Sequence, residues 1–363
     1  MTIPRALTIL ALTALAAAQS PKPKTRNVIL VMTDGLRWQE VFEGADAALM
    51  TKENGSVSDI PELKRTYWRD TAKARREALM PFLWTTVASK GQVYGNRLLG
   101  SEASVTNGKN FSYPGYSETL CGFPDDAIDS NDKKPNPNVT VMEWLHKKPA
   151  FRGKVAAFSA WDVLPYIFNR DRAGFPVSAG WEPFQSSPMT PRLEMLNLMK
   201  AELPRVWPDE PFDAIPFQTA LEYLKATKPR VLYISLGETD DWAHDRNYRL
   251  YLDAAHLVDA YLKTLWDTVQ SMPGYRDTTT LIVTTDHGRG QTPVTWNSHG
   301  KEVPESKDIW MAFLGPDTKP LGERQRTPTV QQNQMAATLA ALLGEDYVRA
   351  QPKAGKPIRD VLP

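Results

Sequence analysis

Seven side chains in this 363-residue chain have the types and spacing to do chemistry together. Asp286 and His287 adjoin in the segment Thr284–Gly288, directly after the apolar run Leu281–Val283. Asp240 and His244 are four apart, a spacing that puts both on one face of a helical turn, where they can hold one ion. Asp34 ends a second apolar run, Val28–Met32, and His299 stands in Asn297–Ser298–His299–Gly300. Three of the chain's five histidines thus fall just beyond expected strands, beside Asp or Gly. Carboxylates with imidazoles are hard and borderline ligands suited to two divalent ions, zinc first. The seventh residue is Ser112, two positions before Pro114. Proline is tolerated in a helix's first turn, so Tyr116–Cys121 reads as a helix closed by Gly122. Ser112 then lies at or near a helix N-terminus, where free N–H groups and the helix dipole favour an anion. Each feature alone also has an ordinary reading. Asp34–Gly35 can be a turn, Ser112 an N-cap, and His146 and His256 structural histidines.

The elements that must position these residues alternate. Short β-branched runs bounded by turn residues read as buried strands. Those around Asn27–Met32, Gln92–Leu99, Lys154–Ala160, Arg230–Leu236, Leu281–Val283 and Asp308–Leu314 fit this pattern. Helical spacing marks Met80–Gly91, Val139–His146, Phe217–Ala226, Tyr248–Gln270 and Gln331–Leu343. Strands alternating with helices imply an α/β fold with a mostly parallel central sheet covered by helices on both faces. Ligands collect beyond the carboxyl ends of such strands, where Asp34, Asp286 and His287 fall. Residues 27–363 are expected to form this domain. Polar, irregular stretches at about 43–76 and a Pro-, Trp- and Phe-rich stretch at 161–216 read as insertions, the latter a cap over the sheet edge.

Composition narrows the function. Lys plus Arg is 43 against Asp plus Glu 42, which argues against a general nucleic-acid or membrane-surface binder. Cys121 is the sole cysteine, so no intramolecular disulfide or thiolate metal site forms; a small buried apolar role suits it. Arg5, the apolar run that follows it, and Ala16 and Ala18 before Gln19 predict a secretory signal peptide over residues 1–18 and a spacer over 19–26. The expectation is a periplasmic or secreted protein without stable membrane insertion. The sequence sets no oligomeric state.

The order D-G (Asp34), S-Y-P-G (Ser112–Gly115) with Gly122 eight residues after the proline, D-x-x-x-H (Asp240, His244), D-H-G (Asp286, His287) and H-G (His299) resembles the alkaline phosphatase superfamily. Within it, the type I phosphodiesterase/nucleotide pyrophosphatase branch is most similar. The likeness runs from about Asn27 to Pro316. It implies one zinc held by Asp240, His244 and His299, and another held by Asp34, Asp286 and His287 with the nucleophile Ser112 bridging to it. It also implies hydrolysis of a small phosphoester through a phosphoserine intermediate. Two metal ions ~4 Å apart can clamp the attacking and leaving oxygens of an in-line displacement. The sequence departs from the pattern in two places. Ser112 stands where diesterase relatives usually have Thr, and Gly115 where they have Asn. The phosphate-gripping arginine has no match; Arg37, Asn107, Lys109 and Arg289 are the substrate-binding candidates by nearness, with Asn110 beside them. Glu238 is too loosely placed for a third, magnesium site. A sulfatase-like or phosphonate hydrolase on the same fold, or an inactive binding relative, stays open, although Ser112–Tyr116 lacks the arginine of the sulfatase signature.

Overall fold

The computed structural model describes residues 22–186 and 188–363, so the signal-peptide reading lies outside the described residues. In chain order the strands are β1 (Asn27–Thr33), β2 (Gln92–Tyr94), β3 (Ala103–Ser104), β4 (Val155–Ser159), β5 (Val177–Ala179), β6 (Val231–Leu236), β7 (Thr279–Thr285), β8 (Asp308–Ile309), β9 (Met311–Leu314), β10 (Gly322–Glu323) and β11 (Val330–Gln331). Eight of them form the central sheet in the order β10-β2-β9-β7-β1-β6-β4-β5; β11, β3 and β8 form a small second sheet. From β7 to β5 every pairing is parallel, while β9 runs antiparallel to both β7 and β2.

The run Asn27–Thr33 is continuous in hydrophobicity because both its faces are covered. Ile29 and Val31 join Leu232, Ile234, Leu281 and Val283 in one core. Val28, Leu30 and Met32 join Val231, Tyr233 and Ile282 in the other. Helices α2 (Ala214–Thr227) and α4 (Tyr248–Ser271) supply Leu224, Leu252, Val258 and Leu262 to the first core. Helices α1 (Ser112–Cys121) and α5 (Met335–Leu342) supply Tyr116, Leu120 and Leu339 to the second. Helix α3 (Glu238–His244) follows β6 directly.

Several boundaries differ from the sequence reading. Residues 43–76 are not irregular: helices Ile60–Tyr67 and Ala72–Leu79 run through this stretch and beyond it, and Leu49, Met50, Leu63 and Tyr67 lie in the first core. The stretch 161–216 contributes β5 to the main sheet and buries Phe184 and Leu193 in the core. The run expected to be a strand to Leu99 stops at Tyr94, because Gly95 takes φ +118 and Asn96 caps a short 3-10 turn. Asp308–Leu314 is two strands, divided at Trp310 between the two sheets.

Candidate active site

Three adjacent central strands deliver the site. Thr33 of β1 pairs with Leu236 of β6 and Thr285 of β7, so Asp34 and Asp286 leave the sheet side by side, one residue past the last rung. Beyond β6, α3 carries Asp240 and His244 one turn apart. Ser112 is the first residue of α1 and is 6 % exposed. Its Oγ lies 3.5 Å from His287 Nε2.

Each carboxylate on the β1 and β7 ends has one oxygen tied down and the other left over. Asp34 Oδ2 accepts from the Tyr116 hydroxyl at 3.0 Å, and Asp286 Oδ1 from Gly35 N–H at 3.1 Å. Asp34 Oδ1 and Asp286 Oδ2 are buried with no donor. His287 Nδ1 donates to Gly288 O at 2.9 Å, which leaves Nε2 as the ring nitrogen that would ligate a metal, 3.2 Å from Asp34 and 3.5 Å from Asp286. The ligand atoms of Asp34, Asp286 and His287 all lie within 4.8 Å of one another, as do those of Asp240, His287 and His299. His244 Nε2 sits 3.1 Å from Asp240 and 3.0 Å from His299 Nε2. His299 is oriented by its Nδ1 facing Asn110 O at 3.3 Å. Buried carboxylate oxygens without donors are costly unless a charge partner joins them. Two such oxygens converging on one imidazole nitrogen are a donor set that fits a divalent cation. The electrostatics agree in direction. Burial and the neighbouring Asp34 push Asp286 well above the usual carboxylate range. Burial lowers His287, but Asp286 and Asp34 more than offset this and raise it to about 9. Burial and the proximity of His287 drive His299 far down.

The substrate-binding candidates are placed differently from expectation. Arg37 is 1 % exposed; its fork is closed on Glu40, with Nε 2.8 Å from Oε2, and Nη1 donates to Gly290 O at 3.1 Å. Arg289 is equally buried. It is paired with Asp240 and donates to Gly35 O at 3.1 Å and Asn297 O at 2.8 Å. Burial lowers it to about 9. It is a positioning residue for Asp240. Asn107 donates to Glu118 at 2.9 Å and accepts from Lys109 N–H and Asn110 N–H, which folds a turn, while Lys109 Nζ reaches Asp126. None of these four faces the cavity at Ser112. Glu238 accepts from Asp213 N–H and Trp242 Nε1–H and is likewise structural.

That cavity has a volume of about 560 Å³ and is lined by Ser112, Asp34 and Asp240 together with residues the sequence reading did not single out, among them Asn131 and Lys133. Asn131 Oδ1 accepts Tyr113 N–H at 3.0 Å, which fixes its amide beside the nucleophile. It lies in a loop without periodicity, so no sequence signal pointed to it. Gly115, where an asparagine was expected, has a physical reason: a Cβ there would stand 2.4 Å from Asp286 O. Ser117, the other serine of α1, accepts from Asn136 at 3.0 Å.

A family profile described as type I phosphodiesterase / nucleotide pyrophosphatase matches residues 50–313. No curated protein matches the chain. Among solved structures, the alkaline phosphatase PafA superposes with a TM-score of 0.61 at 11% identity, covering 95% of this chain and 100% of that one. A phosphonate monoester hydrolase from Silicibacter pomeroyi gives 0.58 at 12%, covering 92% and 76%. The lipoteichoic acid synthase LtaP from Listeria monocytogenes gives 0.55 at 12%, covering 89% and 73%. These likenesses show the fold alone, one shared with the alkaline phosphatase PafA.

Proposed function

Since the chain belongs to the type I phosphodiesterase/nucleotide pyrophosphatase family, we propose that it is an exported phosphoester hydrolase that works through a phosphoserine at Ser112. One observation carries this reading: the Ser112 hydroxyl, at the start of a ten-residue helix, lies 3.5 Å from His287 Nε2, the nitrogen that the donor-less oxygens of Asp34 and Asp286 also approach, and Ser112 lines one cavity with Asp34. Asp34, Asp286 and His287 would hold one divalent cation and Asp240, His244 and His299 a second, zinc being the first choice for such donors. Bound there, the ions supply Lewis-acid stabilisation of charge on the attacking and leaving oxygens.

The chain's own residues do the rest. Ser112 Oγ attacks phosphorus in line with the departing alcohol, and water then cleaves the Oγ–P bond. Tyr113 N–H is taken by Asn131, Pro114 has no N–H, and Gly115 N–H bonds Phe111 O at 3.1 Å. The Ser112 N–H is therefore the helix's donor for a nonbridging phosphoryl oxygen, with the Asn131 amide beside it. Tyr116 and Gly35 hold the two carboxylates, and Arg289 holds Asp240. The one lysine lining the cavity, Lys133, is paired with Asp162 at 2.6 Å. A diester monoanion matches this surround better than a doubly charged monoester.

Acid-quenched mass spectrometry with a slow aryl diester tests the mechanism. A phosphopeptide covering Ser112 is expected in wild type and Ser117→Ala and is absent in Ser112→Ala, whose turnover falls on the order of 10³-fold or more. Near-normal turnover by Ser112→Ala overturns the covalent route. N-terminal sequencing of protein from its native host, beginning near Gln19, tests export.

A further inference from the structure

The helix that begins at Ser112 also carries a fully buried carboxylate, Glu118. Four donors hold it, none of them a cation: Thr106 N–H at 3.1 Å, Thr106 Oγ1–H at 2.6 Å, and Asn107 N–H and Nδ2–H, both at 2.9 Å. Burial raises its carboxyl to about 6, against the pull of these bonds. All four bonds go to one turn, which passes the constraint on. With Nδ2 held by Glu118, the Asn107 amide presents Oδ1 to Lys109 N–H at 2.8 Å and to Asn110 N–H at 3.0 Å. Asn110 takes a left-handed φ of +54, which asparagine tolerates. Its carbonyl then accepts Gly300 N–H at 2.9 Å and His299 Nδ1–H at 3.3 Å. Donation through Nδ1 leaves His299 Nε2 to face Asp240 and His244.

We propose that Glu118 and Asn107 are positioning residues for the second cation, and that they set the His299 ring through the Asn110 carbonyl. The inference rests on the two-cation reading above and gives control of one donor group to the nucleophile's own helix. The argument is one of acceptors. Four N–H and O–H groups converge on Glu118, and an ionised carboxylate satisfies them all because it only accepts. An amide in its place would turn its own hydrogens toward donors. The Asn107 amide would then lose the bond that fixes which way it points. Flipped, it offers Lys109 N–H and Asn110 N–H an –NH2 instead of an oxygen. Asn110 is released, and with it the acceptor on His299 Nδ1. Loss of such an outer partner costs a metal site about 10–100-fold in affinity. The first donor group is held from elsewhere: Asp34 by Tyr116, Asp286 by Gly35 N–H and His287 by Gly288 O. Its affinity is therefore unaffected.

The test is zinc titration of the full chain against a chromophoric chelator, which resolves the two affinities, with circular dichroism on each variant. The wild type is expected to bind two ions. Glu118→Gln and Asn107→Ala should each bind one ion as wild type does and the other about 10–100-fold more weakly. Asn107→Ala cuts the link to Asn110 but leaves Glu118 its bonds to Thr106, so it decides the matter if Glu118→Gln does not fold. Thr106→Val removes a bond to the same carboxylate without touching Asn107, and should keep both ions at wild-type affinity. In a His299→Ala background, Asn107→Ala should cost no further ion, because the two changes act on one site. Wild-type affinity for both ions in Asn107→Ala overturns the inference and leaves the two-cation reading standing. Equal weakening of both ions, or weakening in Thr106→Val, shows general loosening and overturns it too. A wild type that binds fewer than two ions overturns the reading beneath it as well.

Discussion

Replacing Gly115 with alanine probes how tightly the nucleophile is set against its neighbours. Helix α1 crosses the end of β7 so closely that an ideal Cβ at position 115 lies 2.4 Å from Asp286 O and 3.0 Å from its carbonyl carbon. Both obstacles are backbone, one residue past a strand that is hydrogen-bonded on both edges by β1 and β9, and Asp286 O is itself held by Gln332 Nε2–H at 2.6 Å. The helix must therefore be the part that yields. Restoring a contact of 3.4 Å requires it to retreat about 1 Å. Overpacking of this kind costs about 1–3 kcal/mol, enough to lower the melting temperature by several degrees. The same retreat carries Ser112 away from His287 and Asp34, and a misplacement of about 1 Å costs on the order of 100-fold in rate. Zinc content should stay near that of wild type, because no ligand side chain is changed. The assay is kcat and KM on bis-p-nitrophenyl phosphate, with melting temperature and elemental analysis on the same sample. Wild-type kcat with an unchanged melting temperature would refute the close approach. Loss of zinc would show that the strand, not the helix, had moved.

Three further outcomes are expected. Chelation should lower the melting temperature of the zinc-loaded protein by several degrees, because the donor-less oxygens of Asp34 and Asp286 lose their partner; ligand in 1,000-fold excess over Kd contributes about 4 kcal/mol, and an unchanged melting temperature would contradict the donor set. Elemental analysis of His299→Ala should show a lost ion, whereas His256→Ala should keep its full complement, since His256 faces Leu79 O at 2.7 Å on α4, packed against Tyr67. Lys200, 3 % exposed with Glu182 O at 3.0 Å, is lowered by burial from 10.5 to about 8, so between those values the unfolded chain binds more protons and stability rises with pH. The shift corresponds to about 3 kcal/mol of cost at neutral pH. Lys200→Met relieves that cost but leaves the Glu182 carbonyl unpaired, for a net gain of about 1–2 kcal/mol in urea unfolding at pH 7. The gain should vanish by pH 10.5, and a pH-independent difference would refute it.

The central strands and the residues at their ends were legible because burial on two faces leaves a continuous apolar run, and a polar residue just past it has few other places to be. Asp34, Asp286 and His287 were read that way, and Asp240 with His244 from helical spacing. Asn131 was not, since its approach to Ser112 is made by a loop that carries no period. Arg37 and Arg289 misled because nearness in sequence to a ligand says nothing about which partner takes the guanidinium. Glu40 and Asp240 take them, and both pairings need the tertiary structure. The helices of 43–76 did carry a signal that hydropathy alone passes over: Asp59 caps Glu62 N–H and Thr71 caps Ala74 N–H. Trp310, which divides one apolar run between two sheets, leaves no mark in a hydropathy pattern.

The register of β1 also sets the order in which the protein can be made. Both of its neighbours come from much later in the chain: Val28 pairs with Val231 on one side and Thr280 on the other, about 200 residues or more away. During synthesis Asn27–Thr33 emerges early and waits with both edges open, an apolar segment with no partner and a natural place for misassociation. The group Asp34, Asp286 and His287 draws its members from the ends of β1 and β7. Asp34 acquires its surroundings only when β7 has emerged and closed against it. Cation capture by the proposed group Asp34, Asp286 and His287 would accordingly be a late step, following assembly of the sheet rather than guiding it.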